Sequence, residues 1–169
     1  MLSIRTAVLA AALTLMAAPA LAQQAVDMDR FDGRWFEIVR NPNNVQKDCS
    51  RAQIDFNGAG AADRYRLRVT CTRRPGGQIE TLNANARVTA PGRFRFTLTG
   101  LLSFGGLAGQ NYEVLDHAPD YSWSILALPN KSNWWIWHRS QSPSEAVRTQ
   151  LIARARALGL QGAPVHTGR

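Results

Sequence analysis

Cysteine and histidine carry the most reactive side chains of this chain. Cys49 and Cys71 are its two cysteines, and a reduced thiol inside a cavity could act as a nucleophile. His117 could be a ligand or a pH-sensitive group, but its position beside a turn favours a solvated side chain. His138 lies on a strand-like run and is expected to point outward. No Ser/His/Asp set or suitably placed pair of carboxylates is found, so the sequence gives little support to catalysis.

The first 22 residues predict a signal peptide. Arg5 supplies a positive charge, residues 7–18 form a short apolar core, and residues 20–22 read Ala-Leu-Ala, typical of a cleavage site before Gln23. No cysteine follows directly, so a lipid anchor is not expected. We therefore expect cleavage after Ala22 and a soluble, exported protein of the periplasm.

Removing residues 1–22 from the 169-residue chain leaves 147 residues, which suit one domain with one core. We place this domain at residues 23–162 and a flexible tail at residues 163–169. The full chain has a formal charge of +8, nearly all from arginine, and such a charge attracts anionic surfaces. In an exported chain, the two cysteines indicate one disulfide and argue against a zinc site, so no metal is predicted.

Alternation of apolar and polar residues dominates the chain up to about residue 139. Three runs show it most clearly, at residues 64–69, 81–88 and 93–98. Further strands are predicted at residues 35–40, 51–56, 111–117, 121–128 and 133–139, with Gly, Pro or Asn in the gaps. These patterns predict eight strands joined by short turns.

Eight evenly spaced strands favour a closed barrel, because closure removes exposed sheet edges. Such a barrel encloses room for side chains or for one small ligand. A β-sandwich is the structural competitor. We therefore predict an all-β fold, an eight-stranded antiparallel up-and-down β-barrel with one C-terminal α-helix packed outside.

The helix is predicted from a change of period after the strands. Ser142, Pro143 and Glu145 suggest a capping box with proline at the first helical position, and Gly159 supplies a C-terminal stop. An apolar stripe along the helix is interpreted as core material rather than as a partner-binding face. The stripe consists of Val147, Leu151, Ala155 and Leu158.

Three segments stand in order at a spacing typical of one barrel-building family. Residues 28–41 contain a phenylalanine, the run GRW at 33–35 and an acidic residue two positions after the tryptophan. Residues 112–121 end with an aspartate and a tyrosine at a turn, and residues 135–139 read WIWHR. Together they resemble the three motifs of the lipocalins, most closely the bacterial outer-membrane group related to apolipoprotein D. The resemblance covers residues 27–160.

The resemblance implies structural roles at the closed end of a barrel. Gly33 and Trp35 would open the first strand, and Arg139 of the last strand would lie over the Trp35 ring. Such a cation–π contact contributes about 0.5–2 kcal/mol. Asp120 and Tyr121 would form the turn between the sixth and seventh strands, where an aspartate side chain can satisfy backbone donors.

The bridge between Cys49 and Cys71 also agrees with lipocalins that carry a disulfide at this place. A hairpin of the second and third strands would bring both cysteines opposite each other. In the alternation of the strands, Cys71 falls on the apolar face of its strand, whereas Cys49 falls on the same face as Arg51 and Gln53. The bridge therefore requires Cys49 in a loop or after a bulge.

The apolar strand faces predict a cup that binds a small hydrophobic molecule. Its alanines would leave room, and each buried methylene of an acyl chain would contribute about 0.8 kcal/mol. The glycine-rich apolar segment Leu101 to Leu107 could be a flexible lip, a membrane-contacting patch or a packed loop. The predicted cavity residues are Tyr65, Leu67, Val69, Ala84, Ala86, Phe94, Phe96, Tyr112, Val114, Trp123 and Ile125.

The opposite strand faces predict a basic side pointing outward. Any arginine that reaches the rim could bind a carboxylate or phosphate, which fits fatty acids or lysophospholipids, the ligands implied by the bacterial relatives. An anionic membrane surface is a further candidate partner. Nucleic acid is not expected as a partner, because export takes the protein away from it. In addition, no aromatic side chains for base stacking are paired with the basic residues. These residues are Arg64, Arg66, Arg68, Arg87, Arg93 and Arg95.

Three functions are compared on this basis. The leading one is a carrier of fatty acids or lysophospholipids in envelope lipid maintenance, without a cofactor and without enzymatic activity. The second is an isomerase of the lipocalin type, which would need a free cysteine in the cavity. The third is a haem or tetrapyrrole carrier, which would rely on His117 or His138.

Overall fold

The computed structural model describes residues 26–99 and 109–168. The predicted signal peptide with its cleavage site and the segment Leu101 to Leu107 lie outside the described residues. The elements are β1 (Gly33–Arg40), β2 (Cys49–Ala61), β3 (Arg64–Arg73), β4 (Ile79–Ala90), β5 (Arg93–Leu98), β6 (Gln110–His117), β7 (Trp123–Ala127), β8 (Trp134–His138), α1 (Glu145–Ala157) and β9 (Val165–His166).

Strands β1 to β8 form a closed antiparallel barrel. Each strand pairs with the next one along the chain, and β1 closes the ring by pairing with both β2 and β8. The ring leaves no division into two facing sheets, which excludes the β-sandwich. The predicted eight-stranded barrel with one outer helix is therefore confirmed.

Strand β9 lies outside the barrel, so the prediction of a flexible tail is wrong for these residues. His166 pairs with Val39, and Val165 pairs with Arg40. The next residue, Thr167, is buried and donates from Oγ1 to the carbonyl of Glu37 at 2.5 Å. The physical reason is that β2 pairs with β1 only as far as Glu37. Beyond that residue, β9 provides the hydrogen-bond partners for the backbone N–H and C=O groups of β1.

Apolar side chains form two clusters on opposite sides of the barrel wall. The inner cluster fills the barrel around Phe31, Trp35, Phe56 and Phe94. The outer cluster lies between α1 and the outer faces of three strands, β1, β7 and β8, which we call the covered wall. Its buried members are Ile38, Val39, Ile125, Ala127, Trp134, Ile136, Leu151, Ala155 and Leu160.

Helix α1 begins later than predicted. Ser144 is the N-cap residue and its Oγ accepts a hydrogen bond from the Val147 amide at 3.3 Å. Because a serine two residues further on makes this capping bond, the pattern at Ser142 and Pro143 does not mark the helix start. Gly159 follows the helix with φ of 81° and donates to the Arg156 carbonyl at 2.9 Å, as expected for a C-terminal stop.

The buried face of α1 contains one charged residue. Arg148 is 3% exposed and donates from Nη1 to the carbonyls of Ile38 at 2.5 Å and Thr167 at 3.1 Å. It thereby ties the helix to β1 and to the segment after β9. No helix in residues 26–99 and 109–168 is long and apolar enough to cross a membrane.

Candidate ligand-binding site

One end of the barrel is closed by aromatic rings and an arginine. The ring centroids of Phe31 and Trp35 lie 4.7 Å apart, and those of Phe31 and Phe56 lie 5.5 Å apart. The guanidinium of Arg139 lies 3.7 Å from the Trp35 ring centroid and donates to three backbone carbonyls of residues 30–34. The predicted contact between Trp35 and Arg139 is therefore present, and it seals the barrel.

The other residues with predicted structural roles lie around this closure. Gly33 has φ of 97°, and a Cβ there would lie 3.3 Å from Nη1 of Arg139, so glycine lets the arginine approach the backbone. Asp120 accepts at Oδ1 from the Ser122 amide at 3.0 Å, and hydrogen bonding from Ser122 holds the pKa of Asp120 below its ordinary value. The Tyr121 hydroxyl accepts from the Asp27 amide at 2.7 Å, which attaches the N-terminal segment to the turn.

A partly open cavity of about 210 Å³ occupies the other half of the barrel. Aliphatic and aromatic side chains form most of its surface, and Val45, 72% exposed, stands at its mouth. The apolar lining residues are Val45, Ala52, Ile54, Leu67, Val69, Leu82, Phe94, Phe96, Leu98, Tyr112, Trp135 and Trp137.

Most of the predicted cavity residues lie inside the barrel, where they form two groups. Leu67, Val69, Phe94, Phe96 and Tyr112 line the cavity. Tyr65, Ala84, Ala86 and Val114 belong to the buried inner cluster and lie outside the cavity lining. The first group can contact a ligand directly, whereas the second group supports the cavity through packing.

The prediction that Trp123 and Ile125 line the cavity is wrong. Ile125 is buried in the outer cluster, and Trp123 packs against that cluster with the Arg154 guanidinium 5.3 Å from its ring centroid. Their neighbour Leu126 belongs to the inner cluster instead. Helix α1 covers the outer face of β7, so both faces of this strand are apolar and polarity does not identify the inward face.

The tryptophans of β8 follow the alternation of the strand. Trp134 belongs to the outer cluster, whereas Trp135 and Trp137 belong to the inner cluster and line the cavity. Tyr112 lies against Trp135 with 5.3 Å between ring centroids. These aromatic rings form one side of the cavity.

A polar cluster of Glu37, Arg40, Asn43, Gln46 and Trp135 is built into the cavity wall. Glu37 is 2% exposed, and its Oε1 accepts from Nη1 of Arg40 at 2.6 Å. Gln46 lies between β1 and β2; its Nε2 donates to Glu37 Oε2 at 2.8 Å, and its Oε1 accepts from Trp135 Nε1 at 2.8 Å. Asn43 Nδ2 donates to the same Gln46 oxygen at 2.9 Å.

Sequence reasoning missed this cluster, although one signal was present. Glu37 follows Trp35 by two residues, so both side chains point to the same face of β1. This places a carboxyl group among inward-facing residues. Burial raises the pKa of Glu37, while the charge and hydrogen bond of Arg40 and the hydrogen bond of Gln46 oppose that rise. Burial also raises the pKa of Tyr112 to about 12, with a smaller contribution from Glu37, so its hydroxyl stays neutral at ordinary pH.

The six arginines of the predicted basic side are exposed and lie outside the cavity lining. Strand pairing places Arg87 between Arg64 and Arg95, which concentrates positive charge on the outer face of β3, β4 and β5. Within residues 26–99 and 109–168, the arginine that lines the cavity is Arg73, which forms an ion pair with Glu80 of the neighbouring strand.

The predicted disulfide between Cys49 and Cys71 is confirmed, with 5.6 Å between the Cα atoms. The register of β2 against β3 shifts between Cys49 and Arg51, which is the bulge that the parity of Cys49 required. Both cysteines line the cavity. Their thiols are bridged, so neither one is a nucleophile here.

The two candidate histidines lie outside the cavity lining. His117 is 5% exposed and stacks on Tyr121 with 4.3 Å between ring centroids. The expectation of a solvated side chain is wrong, because the ring of Tyr121 folds back over the end of β6. Its Nδ1 lies 2.8 Å from the Ala118 carbonyl oxygen, and its Nε2 has no hydrogen-bond partner among the described residues. Burial lowers the pKa of His138, whose Nδ1 accepts from the Ser140 amide at 2.8 Å.

Comparison with known proteins agrees with this geometry. Residues 26–168 match a family model described as a lipocalin-like domain. A putative lipocalin of Acanthamoeba polyphaga mimivirus is 24% identical over 135 residues, which cover 78% of each chain. Temperature-induced lipocalin-1 of Arabidopsis thaliana is 26% identical over 149 residues, which cover 85% of this chain and 78% of the plant protein. The structure of apocrustacyanin C2 matches the fold with a TM-score of 0.63 at 12% identity, covering 83% of this chain and 78% of that one.

Proposed function

Since this chain belongs to the lipocalin family, we propose that it binds and carries small hydrophobic molecules in its barrel. The lipocalin fold is one that encloses such ligands. The observation that carries the proposal is the cavity of about 210 Å³, which is closed by Trp35 and Arg139 at one end and lined mainly by apolar side chains.

The cavity favours a slender ligand, and we propose a fatty acid or a lysophospholipid. Its volume of about 210 Å³ is below the roughly 300–1,000 Å³ of pockets for drug-sized molecules. A single acyl chain suits such a space, because each methylene removed from water contributes about 0.8 kcal/mol without requiring a polar partner. Leu67, Phe94 and Trp137 would contact that chain.

The head group of such a lipid would lie at the rim. Arg73 is partly exposed there and is paired with Glu80, so a carboxylate or phosphate would compete with Glu80 for the guanidinium. Among the described residues, the six arginines of the basic side lie too far around the outer face to line the cavity. They support a weaker proposal, that this face meets an anionic membrane surface during ligand transfer.

Reversible binding without chemistry is proposed over the two alternatives. An isomerase of the lipocalin type would need a thiol, and Cys49 is bonded to Cys71. A haem carrier would need a histidine in the cavity, and His117 and His138 lie outside its lining.

The cellular setting is also part of the proposal. The sequence of residues 1–22 supports export, and a disulfide supports an oxidising compartment such as the periplasm. A carrier of lipids there would serve envelope lipid maintenance. The kinship to the bacterial outer-membrane group rests on the sequence motifs and stays a prediction.

Native mass spectrometry of the protein purified from its own compartment, followed by solvent extraction, tests the proposed function. We expect a co-purifying fatty acid or lysophospholipid, released when the protein is unfolded. An empty protein that also shows no change in tryptophan fluorescence on addition of either lipid would contradict the proposal.

A further inference from the structure

We propose that Glu37 and Trp135 form a binding subsite for a primary carboxamide, and that the side chain of Gln46 occupies this subsite as an internal ligand. The inference rests on the proposed function, since it concerns apolar ligands in the same cavity. It applies to ligands whose polar group enters the barrel, not to those whose head group stays at the rim beside Arg73. It adds a chemical preference that the apolar walls cannot supply.

The subsite consists of one donor and one acceptor at the spacing of an amide group. The indole N–H of Trp135 can only donate, and an ionised carboxylate of Glu37 can only accept. The Gln46 amide bridges them, with its oxygen 2.8 Å from Trp135 Nε1 and its nitrogen 2.8 Å from Glu37 Oε2. A ligand with the same group can make the same two hydrogen bonds.

Other common lipid head groups satisfy only part of this arrangement. A carboxylate would place a negative oxygen against Glu37 Oε2 and offer no proton. An ester would accept from Trp135 but would leave the Glu37 oxygen without a donor, which is costly in a buried site. A primary carboxamide on an apolar chain avoids both penalties.

The subsite is rigid and buried, as a recognition site requires. Glu37 is held by Arg40 at 2.6 Å, and Arg40 is itself fixed by the carbonyls of Gln46 at 2.7 Å and Cys49 at 2.5 Å. Trp135 is buried on β8. These bonds involve the backbone of Gln46 and leave its side chain as the part that a ligand must displace.

Displacement of the Gln46 side chain would break its three hydrogen bonds, to Glu37, Trp135 and Asn43. The ligand would replace those to Glu37 and Trp135. The segment around Gln46 is at the mouth of the cavity, where Val45 is exposed. The released amide can therefore reach water.

The test compares three ten-carbon ligands, decanamide, decanoic acid and methyl decanoate, by calorimetry with the wild-type protein and with Gln46→Ala. Removing the internal amide should raise the affinity for decanamide about three- to tenfold, the effect of one or two hydrogen bonds. The affinities for the acid and the ester should change less than about twofold, which is below the contribution of one typical hydrogen bond.

The double variant Gln46→Ala/Trp135→Phe provides the matched control. It keeps an aromatic ring in the wall but removes the indole donor, so decanamide should lose the gain seen in Gln46→Ala, whereas decanoic acid, which the subsite does not accept, should bind as before. Circular dichroism and thermal unfolding would verify that each variant folds.

The outcomes separate this inference from the carrier function. Equal gains for all three ligands in Gln46→Ala would mean that Gln46 merely narrows the cavity, which overturns the subsite and leaves the carrier function in place. Binding of none of the three ligands to any variant would overturn both.

Discussion

The covered wall and the wall on the far side of the barrel differ in what lies outside them. The covered wall, β1, β7 and β8, packs against α1 through the outer cluster. Strands β3, β4 and β5, which we call the open wall, present exposed arginines and asparagines on their outer face. Both walls contribute apolar residues to the inside.

The difference shows how one barrel obtains stability and a cavity from separate parts. The outer cluster buries apolar side chains without filling the barrel, so it can support folding while the interior keeps room for a ligand. The open wall gains burial from its inner face alone. Substitutions on the outer faces of the two walls should therefore differ strongly in their effect on stability.

The largest expected effect is that of Trp134→Ala on the covered wall. Trp134 is fully buried in the outer cluster, and its Nε1 donates to the Gln161 carbonyl at 2.8 Å. We expect a loss of about 3–5 kcal/mol in the free energy of unfolding, measured by urea denaturation. A loss below about 1 kcal/mol would show that the helix contributes little to stability.

A matched pair of substitutions separates the two sides of the wall. Ile125 lies in the outer cluster and Leu67 lines the cavity, and each change to alanine should cost about 2–4 kcal/mol. Ligand affinity, measured by fluorescence titration, should change in Leu67→Ala and stay the same in Ile125→Ala. Equal changes in affinity would contradict the assignment of Ile125 to the outer cluster.

Arg148→Met tests the polar part of the covered wall. Methionine keeps much of the side-chain volume but removes the donors to the carbonyls of Ile38 and Thr167. We expect a loss of about 1–3 kcal/mol because both carbonyls lose a buried charged donor, although the Ile38 carbonyl keeps the hydrogen bond from the Thr167 amide. Hydrogen exchange should show the loss first in β9, and unchanged protection of Val165 and His166 would contradict this role.

The smallest effect is expected for Arg66→Gln on the open wall. Arg66 is exposed on the outer face of β3, so the free energy of unfolding should change by less than about 0.5 kcal/mol. Thermal unfolding at moderate salt would measure it. A larger loss would mean that the open wall depends on outward contacts, as the covered wall does.

The same contrast explains how much of the structure could be predicted from the sequence. On the open wall, arginines alternate with Tyr65, Leu67 and Phe94, so strand faces could be assigned residue by residue. The disulfide was predicted from the exported setting and from the resemblance to lipocalins, and the alternation of β2 indicated a loop or a bulge at Cys49. The contact of Trp35 with Arg139 followed from the motifs. Each of these features is marked in the sequence itself, by alternating polar residues, by cysteines or by a motif.

The missed features lack such a marker. Trp123 and Ile125 lie on a strand with two apolar faces, so alternation carries no information about which side they take. Strand β9 forms because β2 leaves β1 early, a consequence of tertiary geometry. The polar cluster at Glu37 joins residues of β1, of β8 and of the segment between β1 and β2, and in the sequence only Glu37 indicated it.

Quenching by a brominated fatty acid would test the central claim most directly, that apolar ligands bind inside the cavity between the two walls. Two variants divide four of the five tryptophans, and Trp35 at the closed end stays in both: Trp123→Phe/Trp134→Phe keeps the cavity tryptophans, and Trp135→Phe/Trp137→Phe removes them. We predict strong quenching in the first variant and weak quenching in the second, because Trp135 and Trp137 line the cavity. Equal quenching in both variants, or stronger quenching in the second, would place the ligand elsewhere and contradict the claim.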